Sequence, residues 1–185
     1  VHDLKKGIPF KNNSVDVAYS SHVLEHIDRV FVLGFLKENY RVLKPQGIIR
    51  IVVPDLYLLI IKYVENYNRC DDQNIYAKNH DNFIKSILEQ SVRKEAAGTS
   101  QQKYLSRKIE NLLLGDARKR GETHQWMYDK FNLKTLLLET GFRDIKVQSY
   151  LTSEIPKWKE YGLDQNAQGG EYKRNSLYIE AKKII

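Results

Sequence analysis

The sequence predicts an α/β fold, because a helical pattern lies between two strand patterns and the same alternation returns near the end of the chain. Residues 15–20 follow turn residues and have the composition of a short strand, and residues 48–53 form a nearly continuous β-branched run that is typical of a buried strand. Between them, apolar residues recur every three or four positions. A helix between two such strands predicts a parallel pair joined by a right-handed crossover.

Length and composition favour one globular domain over residues 1–185. The chain has 42% hydrophobic and 29% charged residues, which is typical of a folded protein. No apolar run approaches the ~20 residues that a membrane span needs, so we expect a cytoplasmic protein without a membrane span. The formal charge of +7 favours anionic partners in general. The basic run at 118–120 has no RNA-binding signature beside it, so nucleic acid is not an expected partner.

The middle of the chain has a different character. Residues of about 55–122 contain three amphipathic helical faces, at 56–64, 83–92 and 104–113, which predict a helical cap inserted into the domain. After this insertion the pattern predicts a helix at 133–140, with Asn132 as its N-cap and Gly141 as its end. Strands are expected at 145–151 and 176–181. The polar stretch 164–175 is expected to be a hairpin loop between these two strands.

The motif H-x-x-E-H is formed by His22, Glu25 and His26. In inverted zinc peptidases this spacing places two metal ligands and a carboxylate base on one helical face, so a zinc hydrolase is one interpretation. Here the motif lies at the predicted junction between strand and helix, and not inside a long helix. Glu25 near the start of that helix would be stabilised by the helix dipole. We therefore expect no metal at this position.

Several short segments of the first 55 residues occur in a characteristic order. Together they resemble the class I S-adenosylmethionine-dependent methyltransferases, in particular the small type 11-like predicted methyltransferases. The end of the chain is similar to the last helix and strands of that family, at Gly141-Phe142 and Ser176-Leu177-Tyr178-Ile179-Glu180. The segments near the start are Gly7-Ile8-Pro9-Phe10, Ser14-Val15-Asp16, Ser21-His22-Val23-Leu24-Glu25-His26, Glu38, Arg41-Val42-Leu43-Lys44-Pro45-Gln46-Gly47 and Val53-Pro54-Asp55.

The resemblance implies a three-layer Rossmann-like methyltransferase fold, with a mostly parallel sheet and an antiparallel last strand. It implies S-adenosylmethionine as cofactor. By the resemblance, Asp3 would accept a hydrogen bond from the adenine amino group, and Leu4 would lie beside the ring. Ser20, Ser21 and His22 would lie near the methionine part of the cofactor, at the carboxyl end of a strand, where ligands of open α/β sheets collect.

The implied reaction transfers a methyl group to an acceptor, for which a small molecule is the first expectation. Candidate catalytic bases are His22, His26 and His124, because histidine titrates near neutral pH. Asp55, at the end of a predicted strand, and Tyr128, after the helical insertion, are candidate substrate contacts. The sequence does not identify the acceptor.

The glycine-rich turn that opens this family's fold does not precede Asp3, so the fold is expected to be N-terminally incomplete. A leading segment omitted from the chain or a truncated gene would explain this. The alternative is a non-catalytic, methyltransferase-like remnant that binds a partner or forms a homodimer through an exposed sheet edge.

Overall fold

The computed structural model describes residues 7–69, 74–91 and 123–184. Tertiary contacts divide the chain into two compact units. The first, called the sheet unit below, contains Val1–Leu24, Arg29–Asp55 and Tyr128–Ile185. The second, called the helical unit, contains Glu25–Asp28 and Leu56–Met127.

The sheet unit is built on four strands in the order β1-β2-β4-β3. β1 pairs with β2 in parallel, whereas β4 is antiparallel to both β2 and β3, so β1, β2 and β3 share one direction. The predicted sheet, mostly parallel with an antiparallel last strand, is therefore confirmed. The strands are β1 (Val15–Ser21), β2 (Leu43–Pro54), β3 (Arg143–Gln148) and β4 (Ser176–Lys182).

One layer of helices covers the first face of this sheet. α1 (Arg29–Val42) connects β1 to β2, and α4 (Lys130–Thr140) precedes β3; the two helices contact each other and the sheet. Their buried apolar side chains form one stripe along each helix, as in amphipathic helices generally. These side chains are Val32, Phe35, Leu36 and Val42 in α1, and Leu133, Leu136 and Leu137 in α4.

The residues at the two ends of α4 explain where this helix begins and where it ends. Asp129 is the N-cap, because its side chain accepts hydrogen bonds from the backbone nitrogens of Phe131 and Asn132. The Asp129 backbone nitrogen in turn donates to Asn132 Oδ1 at 3.3 Å, which makes a capping box. The predicted N-cap at Asn132 is thus wrong by three positions, because Asp129 satisfies the free backbone nitrogens one turn earlier. Gly141 ends the helix with φ 108°, as predicted.

The other face of the sheet is covered by the connection between β3 and β4. It runs from residue 149 to 175 and contains the short helix α5 (Trp158–Tyr161). The predicted loop at 164–175 is therefore too short, although the two strands are antiparallel neighbours as expected. With the helices on one face and this connection on the other, the sheet unit has three layers.

A buried arginine joins this connection to the sheet. Arg50 of β2 is fully buried, and its Nη2 and Nε donate to Asp164 Oδ2 at 2.7 and 2.9 Å. Its Nη1 donates to Glu180 Oε1 of β4 at 2.7 Å. The guanidinium also lies over the Trp158 ring, 4.2 Å from its centroid. Both carboxylates are buried, so one cation compensates two desolvated anions.

A tyrosine hydroxyl extends the same network. Tyr19 of β1 donates to Asp164 Oδ1 at 2.6 Å, and its ring packs against Trp158 at 5.6 Å between centroids. Burial and the hydrogen bond to Asp164 together raise the pKa of Tyr19 to about 12. The hydroxyl therefore stays protonated, and remains a donor, throughout the physiological pH range.

The helical unit contains α2 (Leu56–Tyr67) and α3 (Asn74–Gln90), which pack against each other. Asn66 Nδ2 of α2 lies 3.0 Å from His80 Nδ1 of α3. The predicted third helical face at 104–113 and the basic run at 118–120 lie outside the described residues. None of the helices in the described part of the chain is long and apolar enough to cross a membrane.

The segment that precedes β1 is attached to α1 by Glu38 and Arg41. Glu38 Oε2 accepts from the Ile8 backbone nitrogen at 2.9 Å, and Arg41 Nη2 donates to Ile8 O at 2.9 Å. Arg41 Nε also donates to Glu38 Oε1 at 2.8 Å. The hydrogen bonds from Arg41 and from the Ile8 backbone lower the pKa of Glu38 from 4.5 to about 2.

This attachment predicts a pH dependence. A carboxylate with a depressed pKa stabilises the folded state above its unfolded pKa, and the stabilisation is lost as the pH falls through the folded value. We therefore expect Glu38 to stay ionised from pH 7 down to about pH 4, and to lose its contact with Ile8 only as the pH falls toward about 2. The carboxyl carbon shift of Glu38, followed by NMR while the circular dichroism spectrum is native, measures this. A titration midpoint near 4.5 would contradict the prediction, and Glu38→Gln should abolish any pH-dependent shift of the Ile8 amide.

Candidate functional site

The sheet unit gathers polar residues at one edge of its sheet. β1 ends at Ser21 and β2 at Pro54, and their carboxyl ends lie at the same edge because the two strands are parallel. β4 begins at this edge, since it is antiparallel to β2 and Ser176 pairs with Pro54. Ligands of open α/β sheets bind at such an edge. The predicted residues Ser20, Ser21, His22 and Asp55 therefore share it.

His22 has a defined orientation at the end of β1. Its backbone nitrogen donates to Val52 O at 2.8 Å, and its φ of 51° is in the left-handed region, which turns the chain out of the strand. Its Nε2 lies 3.1 Å from Ser176 Oγ. Because the Ser176 hydroxyl already donates to Lys173 O at 2.8 Å, His22 Nε2 must be the donor of this pair. In the neutral ring the lone pair is then on Nδ1, the nitrogen that can act as a base.

The two serines of β1 face opposite sides of the sheet, as successive residues of a strand do. Ser21 lies on the side of Tyr19, which precedes it by two residues in β1. Ser20 lies on the side covered by α1 and α4. Its Oγ is buried and has no hydrogen-bond partner within residues 7–69, 74–91 and 123–184. Leaving a buried hydroxyl unsatisfied costs about 1–3 kcal/mol, so this oxygen suits a ligand that offers a polar atom.

Asp55 and Tyr128, predicted to contact the substrate, are neighbours in the sheet unit. Their backbones form an isolated parallel bridge, and the Asp55 backbone nitrogen donates to Asn175 O at 2.9 Å. Asp55 is buried, and Tyr128 is fully buried with the Arg29 guanidinium 5.8 Å from its ring centroid. Tyr128 thus belongs to the core, and its role toward a substrate stays a prediction.

The remaining predicted residues do not belong to the described part of the sheet unit. Asp3 and Leu4 are outside the described residues. His26 and His124 belong to the helical unit, where their ring centroids are 4.7 Å apart. Sequence reasoning missed Ser176, whose contact with His22 depends on the antiparallel placement of β4. The predicted start of the last strand at residue 176 was the signal that could have found it.

A family model described as a methyltransferase domain, type 11, matches residues 1–51. Residues 1–51 are thus similar to the methyltransferase domain family. The resemblance found in the sequence is therefore confirmed. No curated protein sequence matches the chain.

Solved structures of methyltransferases are also similar to the chain. An S-adenosylmethionine-dependent methyltransferase from Archaeoglobus fulgidus is 16% identical, with a TM-score of 0.42 over 94% of this chain and 62% of that one. A possible histamine N-methyltransferase from Thermotoga maritima is 16% identical, with a TM-score of 0.44 over 97% of this chain and 61% of that one. A methyltransferase from Methanosarcina mazei is 17% identical, with a TM-score of 0.45 and coverages of 99% and 66%.

The chain thus spans less than two thirds of the length of the first two of these methyltransferases. The Rossmann-like architecture of this chain therefore rests on the strand order and strand directions of its own sheet.

Proposed function

We propose that this methyltransferase domain binds S-adenosylmethionine at the carboxyl edge of its sheet and transfers the methyl group to a small-molecule acceptor. The observation that carries the proposal is the position of His22 beside Ser20 and Ser21 at the end of β1, within the segment that matches the family. The buried Ser20 Oγ and the neutral polar groups at this edge fit a cofactor with polar and cationic parts. Asp3 and Leu4 complete the proposed cofactor contacts.

The residues of the sheet unit would bind, orient and accept a proton. S-adenosylmethionine, when bound, supplies a methyl group that is already activated on a sulfonium. The enzyme's main task is then to hold the acceptor in line with that methyl group. Ser176 orients the His22 ring by accepting from Nε2, and we propose Nδ1 of the neutral ring as the atom that accepts a proton from an acceptor hydroxyl or amine. Asp55 and Tyr128 are proposed to contact the acceptor, and His26 and His124 remain candidate bases predicted from the sequence.

Calorimetric titration of the full chain with S-adenosylhomocysteine tests the cofactor site. The wild-type chain should bind. His22→Asn should weaken binding by about tenfold, which corresponds to about 1.4 kcal/mol. Asparagine suits this test because it tolerates the left-handed conformation of residue 22. Ser20→Ala should weaken binding by a smaller factor, because it removes one neutral hydrogen bond.

His80→Ala is the matched control, since His80 lies in the helical unit and outside the proposed cofactor contacts. It should bind like the wild type. A correctly folded wild-type chain that releases no heat with S-adenosylhomocysteine would remove the enzyme proposal. Unchanged affinity in both His22→Asn and Ser20→Ala would place the cofactor elsewhere.

The alternative function is a non-catalytic binding module, and the observation that favours it is the position of β1 as an outermost strand of the sheet. Among the described strands β1 has only β2 as a neighbour, and its residues are partly exposed. An outermost strand of this kind can pair with a strand of another chain. Light scattering should then show a dimer that persists in dilute solution and is disrupted by Ala18→Pro. A monomer at all concentrations would argue against pairing between two copies.

A further inference from the structure

Three side chains of the helical unit converge on one point. Glu25, His26 and His124 each offer a metal-ligand atom, and these atoms lie within 4.8 Å of one another. His26 Nε2 is 3.9 Å from Glu25 Oε1. The two imidazole rings meet edge to face, with an interplanar angle of 79°.

The protonation of His124 is set by a neighbour. Its Nδ1 lies 2.9 Å from Gln90 O at the end of α3. A carbonyl oxygen can only accept, so Nδ1 carries the proton and the lone pair of the neutral ring is on Nε2. A backbone carbonyl that orients a histidine through its second nitrogen is the usual outer contact of a histidine metal ligand.

The backbone holds the two parts of this group together. The nitrogens of Gln125 and Trp126 both lie within hydrogen-bond distance of Glu25 O, at 2.6 and 3.4 Å. His124 is therefore held beside Glu25 by the peptide chain itself. The Glu25 side chain is buried at 1% exposure, whereas that of His26 is 27% exposed, so the His26 side of this group contacts solvent.

We infer that Glu25, His26 and His124 bind a divalent transition-metal ion of the zinc type. Two imidazoles and one carboxylate are a known ligand set for zinc, and they leave a fourth position open. With bonds of about 2.1 Å in tetrahedral geometry, ligand atoms are about 3.4 Å apart, so small side-chain rotations would close the group around an ion. The ligand atoms here differ from the zinc hydrolase interpretation of H-x-x-E-H, because His124 takes the place of His22.

This inference departs from the absence of metal expected from the sequence, and it goes beyond the proposed methyl transfer without depending on it. The rival explanation is an ion pair of protonated His26 with Glu25. An ion pair does not need His124. The requirement for His124 therefore separates the two explanations.

The test is a zinc titration of the full chain near neutral pH, after chelator treatment and dialysis, with a chromophoric chelator as competitor. We expect one ion per chain. His26→Ala, His124→Ala and Glu25→Gln should each weaken zinc binding by more than about 100-fold, since loss of an outer contact alone weakens such sites 10- to 100-fold. Cobalt in place of zinc should give the visible absorption of a four-coordinate site, and this absorption should be absent in all three variants.

His80→Ala is the matched histidine control, and it should keep wild-type zinc affinity and the cobalt spectrum. The circular dichroism spectra of the metal-free variants are compared with that of the metal-free wild type. If a histidine variant does not fold, the zinc affinity of Glu25→Gln tests the inference, because this substitution preserves side-chain size. Failure of the folded wild type to bind zinc stoichiometrically would overturn the inference. So would binding that survives His124→Ala, or binding lost equally in His80→Ala. S-adenosylhomocysteine is absent from this titration, so its result is independent of the cofactor test.

Discussion

Replacement of Arg50 by methionine is expected to lower the free energy of unfolding by about 3–5 kcal/mol, because it leaves two buried carboxylates without their cation. Asp164 and Glu180 would both lose charge-assisted hydrogen bonds in an environment closed to water. Arg50 also donates to Ser149 O and Thr152 O, which attach the start of the connection to the sheet. The variant should therefore loosen the whole layer on this face.

Urea unfolding followed by circular dichroism measures the effect. Arg143→Met is the matched control, because Arg143 is exposed at the start of β3 and its loss should change stability by no more than about 0.5 kcal/mol. Adding Asp164→Asn and Glu180→Gln to Arg50→Met should recover part of the loss, since neutral amides are less costly to bury than unpaired carboxylates. Equal effects of Arg50→Met and Arg143→Met would show that the buried network does not stabilise the fold.

Replacement of Gly141 by alanine is expected to destabilise the sheet unit by about 1–3 kcal/mol. Its φ of 108° is one that residues with a Cβ rarely adopt, and a Cβ added there would lie 3.3 Å from the Tyr40 ring of α1. That ring is itself held edge to face against Phe142, 5.0 Å between centroids. The Tyr40 ring therefore cannot simply move away from an added Cβ to relieve the close contact.

Gly34→Ala provides a control of opposite sign. Gly34 lies inside α1, is exposed, and an added Cβ would have no atom within 4 Å. Alanine is the better helix former, by about 1 kcal/mol, so this variant should be more stable than the wild type. Thermal unfolding of both variants compares the two sites directly. A Gly141→Ala variant as stable as the wild type would mean that the helix end adjusts without strain.

Local patterns predicted the four strands, the helices α1 to α4 and most of the edge at which the cofactor site is proposed, but not the short helix α5. The run at 48–53 indicated a buried strand, and the positions of Ser20 to His22 and of Asp55 at the ends of two strands predicted to be parallel placed them at one edge. The N-cap of α4 was missed because Asp129 and Asn132 are both good caps, and the choice depends on where the helix starts in the packed unit.

The long-range contacts could not be predicted in the same way. In the sequence, Arg50 is an isolated charged residue within an apolar strand. Its partners Asp164 and Glu180 are 114 and 130 residues further along the chain. The same holds for His22 with Ser176 and for His26 with His124. Periodicity and spacing describe which face of an element is apolar, but they do not describe which distant polar groups share that face.

The sequence by itself determined the α/β class, the parallel pair with its crossover helix, and the similarity of residues 1–51 to the methyltransferase domain family. These depend on propensity, periodicity and motif order, which are local properties. Only the tertiary structure decided which charges are buried together, that the β3–β4 connection forms the third layer, and that Glu25, His26 and His124 converge. Those features depend on long-range contacts, because the partner of a buried polar group is a residue distant in sequence that only the folded chain brings close.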